Sequence, residues 1–151
     1  QHASYGGYQI DPVIRHGKSV EITQADAPTL FQELQKTLQN AQNNGFETIA
    51  VICRTSEEAE ELKAKLGISS HSEDSDFHNG VMVLPVALTK GLEFDCAILW
   101  KPDGKHYLNH PKDAKLLYVA ITRALHELYL LTEQPLTPLL SSFSEKVNVI
   151  N

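Results

Sequence analysis

Two short segments of the chain combine residue types that could bind a phosphorylated ligand. The first, residues 89–95 (TKGLEFD), lies between two apolar runs that are typical of buried strands. Gly91 permits close approach of a ligand to the backbone, and Thr89 and Lys90 can meet a phosphate. Glu93 can accept a hydrogen bond from a sugar hydroxyl. We expect this segment at the carboxyl end of a strand, where open α/β sheets bind ligands, although an ordinary loop fits the segment equally well.

The second segment, residues 116–125 (LLYVAITRAL), has helical periodicity. At 100° per residue, Arg123 lies roughly 130° from the centre of the apolar stripe and projects from the helix near its end. Thr122 and Tyr118 share that side. In an arbitrary helix such an arginine is a solvated surface charge. The alternative is that it reaches a nucleotide held by another domain, because a guanidinium binds phosphate oxygens in fixed bidentate geometry.

Apolar runs along the chain predict the sheet that must position both segments. Short, continuous apolar runs of residues that favour strands predict buried strands at residues 48–53, 81–84, 96–100 and 128–131. Such runs indicate strands covered on both faces, and therefore a mostly parallel sheet. Residues 19–23 alternate in polarity, which suits a strand at an edge.

Helical segments are predicted between these strands, at residues 27–43, 55–66 and 112–125. Asp26 is the expected N-cap of the first helix, and Thr55 with Glu58 fits a capping box at the start of the second. Strands that alternate with helices predict an α/β layered domain. Residues 69–79 are polar and locally acidic, and are predicted to form a surface connection.

Composition sets the class of protein. The chain has 151 residues, 42% of them hydrophobic, which suits one globular domain. Its net charge of −6 argues against a domain that grips nucleic acid by charge alone. Cys53 and Cys96 lie in apolar runs and are interpreted as buried residues of a cytoplasmic protein. We find no signal peptide or membrane-length segment, and the start at Gln1 leads us to expect a piece of something longer.

Taken together and in this order, the two segments resemble motifs V and VI of the UvrD/Rep-type superfamily 1 helicases. The resemblance is carried by KGLEFD at residues 90–95, and by LYVA and TRA at residues 117–120 and 122–124. DAK at 113–115, LHEL at 125–128 and residues 48–66 are most similar to the helicase IV/HelD branch, some of whose members act on RNA polymerase. The resemblance implies a three-layer RecA-like (P-loop NTPase-like) fold over residues 18–151, preceded by a lead-in segment at 1–17.

The resemblance also implies roles for individual residues. ATP and Mg²⁺ would bind in a cleft shared with a first RecA-like domain, and none would be held by this domain alone. Arg123 matches the catalytic arginine that reaches the γ-phosphate. Gly91 and Glu93 match positions near the nucleotide. Thr89, Lys90 and Thr122 are candidates for contacting single-stranded DNA or for coupling it to ATP. For Thr122 and Tyr118 we favour a role in positioning Arg123.

Departures from the family pattern limit what this chain does by itself. The sequence contains no Gly-x-x-x-x-Gly-Lys-Ser/Thr loop, so we expect it to be inactive without the first domain. Residues 87–89 replace the histidine-containing start of motif V, which weakens the case for strand contact. An alternative function is an ATP-switched module that binds RNA polymerase without unwinding. A flavodoxin-like domain that binds a small ligand is a third interpretation.

Simple alternation raises a difficulty, because it places the end of the helix at 112–125 opposite the loop at 89–95. Both should face one cleft, so either one strand is antiparallel or the site wraps around the sheet edge.

The remaining candidates are assigned no chemistry. His106 and His110 are followed by Pro111 and lack further ligand partners, so no metal site is predicted. Trp100 is interpreted as a core residue at a strand end.

Overall fold

The structure, a computed structural model, describes residues 19–68 and 80–150. Within these residues the chain forms six strands and three α-helices. In chain order they are β1 (Ser19–Gln24), α1 (Ala27–Asn43), β2 (Ile49–Cys53), α2 (Ser56–Leu66), β3 (Val81–Pro85), β4 (Phe94–Trp100), α3 (Pro111–Thr122), β5 (Ala124–Thr132) and β6 (Val147–Val149). Two 3-10 helices, Val86–Leu88 and Pro138–Lys146, follow β3 and β5.

The strands form one sheet in the order β3-β2-β4-β5-β1-β6, and every pairing is parallel. The predicted α/β fold with a mostly parallel sheet is therefore confirmed. The prediction that residues 19–23 form an edge strand is wrong. β6 pairs with Ile22, Thr23 and Gln24 and takes the edge, because the polar C-terminal stretch adds a short strand that its sequence does not signal.

Helices cover both faces of the sheet and produce three layers. β2 shows how its sequence does this, because all five of its residues are buried and successive side chains point to opposite faces. Ile49 and Val51 pack in the cluster that contains residues of α1 and α2. Ala50 and Ile52 pack in the opposite cluster, with residues of α3 and of the segment Pro138–Lys146.

The helix boundaries follow local capping, with two corrections. Thr55 caps α2 as predicted, since its hydroxyl accepts from Glu58 N at 3.2 Å. The prediction that Thr55 and Glu58 form a reciprocal capping box is wrong, because the Glu58 carboxylate accepts from Arg54 N at 3.1 Å instead of from Thr55 N. α3 ends at Thr122 rather than Leu125, because β5 begins at Ala124 and the Arg123 carbonyl already accepts from Phe94 N.

The connection from β3 to β4 resolves the placement of the first candidate segment. Because β3 and β4 are parallel, the chain must return from the carboxyl ends of the strands to their amino ends before β4 begins. We call the side of the sheet where the strands begin its amino edge, and the side where they end its carboxyl edge. The residues just before Phe94 therefore lie at the amino edge, and the expectation that segment 89–95 sits at a carboxyl end is wrong. Phe94 pairs with Ala124, so the segment meets the end of α3 without any antiparallel strand.

Residues 1–17 and 69–79 lie outside the described residues, and so do the calls made on them. No helix in the parts of the chain that the structure describes is long and apolar enough to cross a membrane.

Candidate functional site

Arg123 stands at the junction of α3 and β5, where it is held by its own chain. It is the C-cap residue of α3, and it is half-buried. Its Nε donates to the Val119 carbonyl at 3.0 Å, and its Nη1 donates to the Leu92 carbonyl at 3.1 Å. Its Nη2 donates to the Thr122 hydroxyl oxygen at 3.3 Å. A guanidinium carries five N–H groups, so two remain for a ligand.

Thr122 is part of this arrangement. Its hydroxyl oxygen lies 3.0 Å from the carbonyls of Tyr118 and Val119, to which it can donate, and it accepts from Arg123. The side chain is thereby fixed between the helix backbone and the guanidinium. Tyr118 is exposed, and its carbonyl helps to orient the Thr122 hydroxyl. The hydrogen bonds of the Thr122 hydroxyl to the helix carbonyls and to the Arg123 guanidinium support a positioning role for Thr122.

The segment 89–95 meets Arg123 through its backbone. The Leu92 carbonyl accepts from the Arg123 side chain, and the Phe94 N–H donates to the Arg123 carbonyl at 2.8 Å. Gly91 has a φ of +80°, and a Cβ built there would meet nothing within 4 Å. The space beside Gly91 is thus open, and glycine is needed there by backbone conformation rather than by crowding.

The polar side chains of this segment are placed differently from one another. Lys90 and Glu93 are exposed and bond to none of the residues that the structure describes, so both are accessible to a ligand. Thr89 is fully buried, and its hydroxyl donates to the Val86 carbonyl at 2.7 Å. In this conformation Thr89 stabilises the loop, and of the two neighbours Thr89 and Lys90 only Lys90 faces solvent.

A second polar cluster, the carboxyl-edge cluster, lies at the opposite edge of the sheet and was missed by the sequence analysis. Arg54 Nη2 pairs with Asp113 Oδ1 at 3.0 Å, and the second Asp113 oxygen accepts from Leu108 N at 2.7 Å. These residues, together with Thr55, Glu58, Lys105 and His106, line a cavity of about 360 Å³. One signal was available, because Arg54 directly follows an apolar strand and so lies at its carboxyl end.

His106, a residue of the carboxyl-edge cluster, links α2 to the loop between β4 and α3. Its Nε2 lies 2.8 Å from Glu58 Oε2, and its Nδ1 lies 2.8 Å from Asp103 Oδ1. The hydrogen bond to Glu58, assisted by the one to Asp103, raises the pKa of His106 to about 9 against the cost of burial. The imidazole is therefore protonated at neutral pH and bridges two carboxylates.

The remaining sulfur and imidazole groups have structural surroundings. Burial raises the pKa of the Cys53 thiol, and it raises that of Cys96 to about 12, so neither is a thiolate at neutral pH. His110 caps α3 by accepting from Lys112 N at 3.2 Å. Trp100 is 7% exposed and packs in the core, as predicted. In the described ranges, no three His, Cys, Asp or Glu side chains are arranged to hold a metal ion.

Comparison with known families finds a match to the part of the chain that contains Arg123 and the segment 89–95. Residues 80–131 match the model of the UvrD-like helicase C-terminal domain. The matched segment begins just before β3 and ends within β5, so it includes both motif-like segments and the Leu92–Arg123 contact. It includes neither Arg54 nor α2.

A solved structure shares the whole fold. The chain is similar to the C-terminal domain of a possible DNA helicase from Lactobacillus plantarum WCFS1, with a TM-score of 0.74 and 24% sequence identity. The similarity covers 94% of this chain and 98% of that one. At this identity the likeness shows the fold alone, and this shared fold extends beyond residues 80–131. No curated protein matches the chain.

Proposed function

We propose that this chain is the second RecA-like motor domain of an ATP-dependent DNA helicase or translocase of the UvrD/Rep type. The family match over residues 80–131 and the fold shared with a helicase C-terminal domain support this assignment. In this proposal ATP and Mg²⁺ bind in a cleft between a first RecA-like domain and the amino edge of the sheet described above.

The observation that carries the proposal is the way in which Arg123 is held. Three of its N–H groups bind Val119, Leu92 and Thr122, so the guanidinium is oriented before any ligand arrives. An arginine whose position is fixed in advance can stabilise the charge that develops on a transferred phosphoryl group without reorganising during the reaction. The two unused N–H groups would serve the γ-phosphate oxygens.

The neighbouring residues have chemistry that suits the same nucleotide. Gly91 leaves open space in which a ligand can approach the backbone, and the exposed Glu93 carboxylate can accept from a ribose hydroxyl. Lys90 offers a positive charge to a phosphate of ATP or of a single DNA strand. The chain lacks a Gly-rich phosphate loop, so the first domain must supply the phosphate and Mg²⁺ ligands, and we expect no turnover from this domain alone.

Turnover of ATP by a polypeptide that joins this chain to its first motor domain tests the proposal. Arg123→Ala should lower kcat by roughly 10³-fold or more, because an arginine of this type acts in the transition state. The KM for ATP should change little. Lys115→Ala is the matched control, because it removes an exposed cation from the same helix. Unchanged kcat in Arg123→Ala would exclude this role.

A second function is favoured by one feature of the charge distribution. The net charge is −6 and Thr89 is buried, so within segment 89–92 only Lys90 offers a polar side chain to a strand. A module that binds RNA polymerase and uses ATP only to switch conformation would need little strand contact. Retention of RNA polymerase by the joined polypeptide, with no unwinding of tailed duplexes, would favour this alternative.

A further inference from the structure

The turn that leads from α1 into β2 is fastened to the first residues of β4. Asp95 Oδ2 accepts from Glu47 N at 3.0 Å and from Thr48 N at 3.3 Å. In return, Thr48 Oγ1 accepts from Asp95 N at 2.9 Å. The Thr48 carbonyl also accepts from Cys96 N at 3.2 Å. Asp95 and Thr48 therefore form a reciprocal pair in which side chain and backbone of each bind the other.

The other side of this pair faces an irregularity in β5. Between Phe94 and Cys96 the pairing advances from Ala124 to Glu127, so β5 contains one extra residue there. Bulges of this kind redirect the chain beside functional sites. His126, within the bulge, has its Nε2 3.8 Å from Asp95 Oδ1, and its ring stacks on Phe46 with centroids 6.0 Å apart. The bulged strand and the α1–β2 turn thus both contact Asp95.

Arg123 directly precedes the bulged strand and is gripped by the residues that precede Asp95. Phe94 N binds the Arg123 carbonyl, and the Leu92 carbonyl binds its guanidinium. The stretch 92–94 therefore holds both the backbone and the side chain of Arg123. The position of the stretch 92–94 in turn depends on Asp95, because the peptide that links Phe94 to Asp95 donates its N–H to the Thr48 hydroxyl.

We propose that Asp95 is a positioning residue for Arg123. Its carboxylate fixes the start of β4 on the α1–β2 turn, and this sets where the Leu92 carbonyl holds the guanidinium. Asp95 contacts no reacting atom in this scheme and acts only through Leu92 and Phe94. The catalytic consequence rests on the proposed function, whereas the effect on the Arg123 side chain can be measured without it.

The structural part is tested on this 151-residue chain by hydrogen exchange of the Arg123 Nη1–H groups, one of which donates to the Leu92 carbonyl, followed by NMR. Asp95→Ala should accelerate this exchange by about tenfold, since a loosened Leu92 contact frees the side chain. Asp95→Asn, which keeps an acceptor oxygen, should restore most of the protection. Asp26→Ala is the matched control, because Asp26 also accepts from a backbone N–H, at the start of α1. Exchange in Asp95→Ala equal to that of the unaltered chain would overturn the proposal.

Thr48→Val provides a second route if Asp95→Ala does not fold. It removes the acceptor for Asp95 N while preserving the shape of the side chain. We expect faster Arg123 Nη1–H exchange, as for Asp95→Ala, and unchanged exchange would again overturn the proposal.

The catalytic part is tested in the polypeptide joined to its first motor domain. Asp95→Ala should lower kcat by about tenfold with less than about a twofold change in the KM for ATP, because a misplaced arginine weakens transition-state binding. In an Arg123→Ala background the same substitution should have no further effect. If Arg123→Ala abolishes turnover and Asp95→Ala leaves kcat unchanged, this inference fails while the proposed function stands. If Arg123→Ala leaves turnover intact, the proposed function fails, and the exchange measurement decides the positioning role of Asp95.

Discussion

Arg54 and Asp113 form an ion pair 3.0 Å long at the carboxyl edge of the sheet, and the pair joins the end of β2 to the first turn of α3. The Asp113 side chain is only 7% exposed, and its second oxygen accepts from Leu108 N. The arginine rests over the Tyr107 ring, with 5.8 Å between its Cζ and the ring centroid. The start of α3, whose C-cap residue is Arg123, is therefore fixed by a charge pair.

Removal of one partner of this pair should be costly. Asp113→Ala leaves the Arg54 charge without its partner and the Leu108 N–H without an acceptor, so we expect a loss of about 3 kcal/mol in the free energy of unfolding. Asp113→Asn keeps an acceptor for Leu108 and should lose less. Urea denaturation followed by circular dichroism measures both. Equal stability of the alanine variant and the unaltered chain would contradict this assignment.

His106 predicts a pH dependence of stability. Its pKa is about 9 in the folded chain and about 6.5 in the unfolded chain. The stabilisation is therefore fully present below about pH 6.5 and is lost as the pH rises through 9. The shift corresponds to about 3 kcal/mol, which we reduce to about 2 kcal/mol because part of the ring is exposed to screening by solvent.

Urea denaturation of the unaltered chain and of His106→Gln between pH 6 and pH 10 checks this expectation. The difference in the free energy of unfolding between the two should shrink as the pH rises and should nearly vanish above the folded pKa. A difference that stays constant over this range would mean that His106 is not protonated in the folded chain.

Gly91 should matter more for ligand binding than for stability. Its φ of +80° makes alanine strained, yet no atom lies within 4 Å of the added Cβ. Gly91→Ala should therefore cost about 1 kcal/mol, as should Gly67→Ala, whose φ is +78° and whose surroundings are equally open. In the joined polypeptide only Gly91→Ala should raise the KM for ATP. Equal KM values in both variants would place the nucleotide elsewhere.

The C-terminal 3-10 segment should contribute strongly to folding. Leu139, Leu140 and Phe143 of this segment are buried in the cluster that also contains Leu117 of α3. Phe143→Ala should cost about 3 to 5 kcal/mol, the usual range for a phenylalanine removed from a packed core. Thermal denaturation measures the loss, and Lys146→Ala, at the exposed end of the same segment, should leave the melting temperature unchanged.

Much of the fold could be predicted because the strands of a covered parallel sheet are recognisable one at a time. The all-buried runs of β2 and β3 needed no knowledge of their neighbours. β6 could not be predicted in this way, since Asn148 and Val149 are exposed and the strand exists only through pairing with β1. The end of α3 was misplaced because Leu125 continues the helical stripe, and only the pairing of Phe94 with Ala124 ends the helix earlier.

The candidate site shows the same division between local pattern and tertiary contact. The residue types at Gly91, Glu93 and Arg123 pointed to a nucleotide, and the structure brings the loop and the arginine together. The sequence could not show that Thr89 is buried, because its hydroxyl partner is a backbone carbonyl. The roles of Asp95 and Thr48 were equally inaccessible, since their mutual bonds join residues 47 positions apart.

The position of β1 in the sheet has a consequence for the order of assembly. Along the chain β1 precedes the other described strands, yet it pairs with β5 and β6, the last two of them. A growing chain therefore carries an unpaired β1 until β5 has been synthesised. Such long-range parallel pairing slows folding and exposes strand edges meanwhile. The charged residue Glu21 would limit association of these nascent chains through that edge.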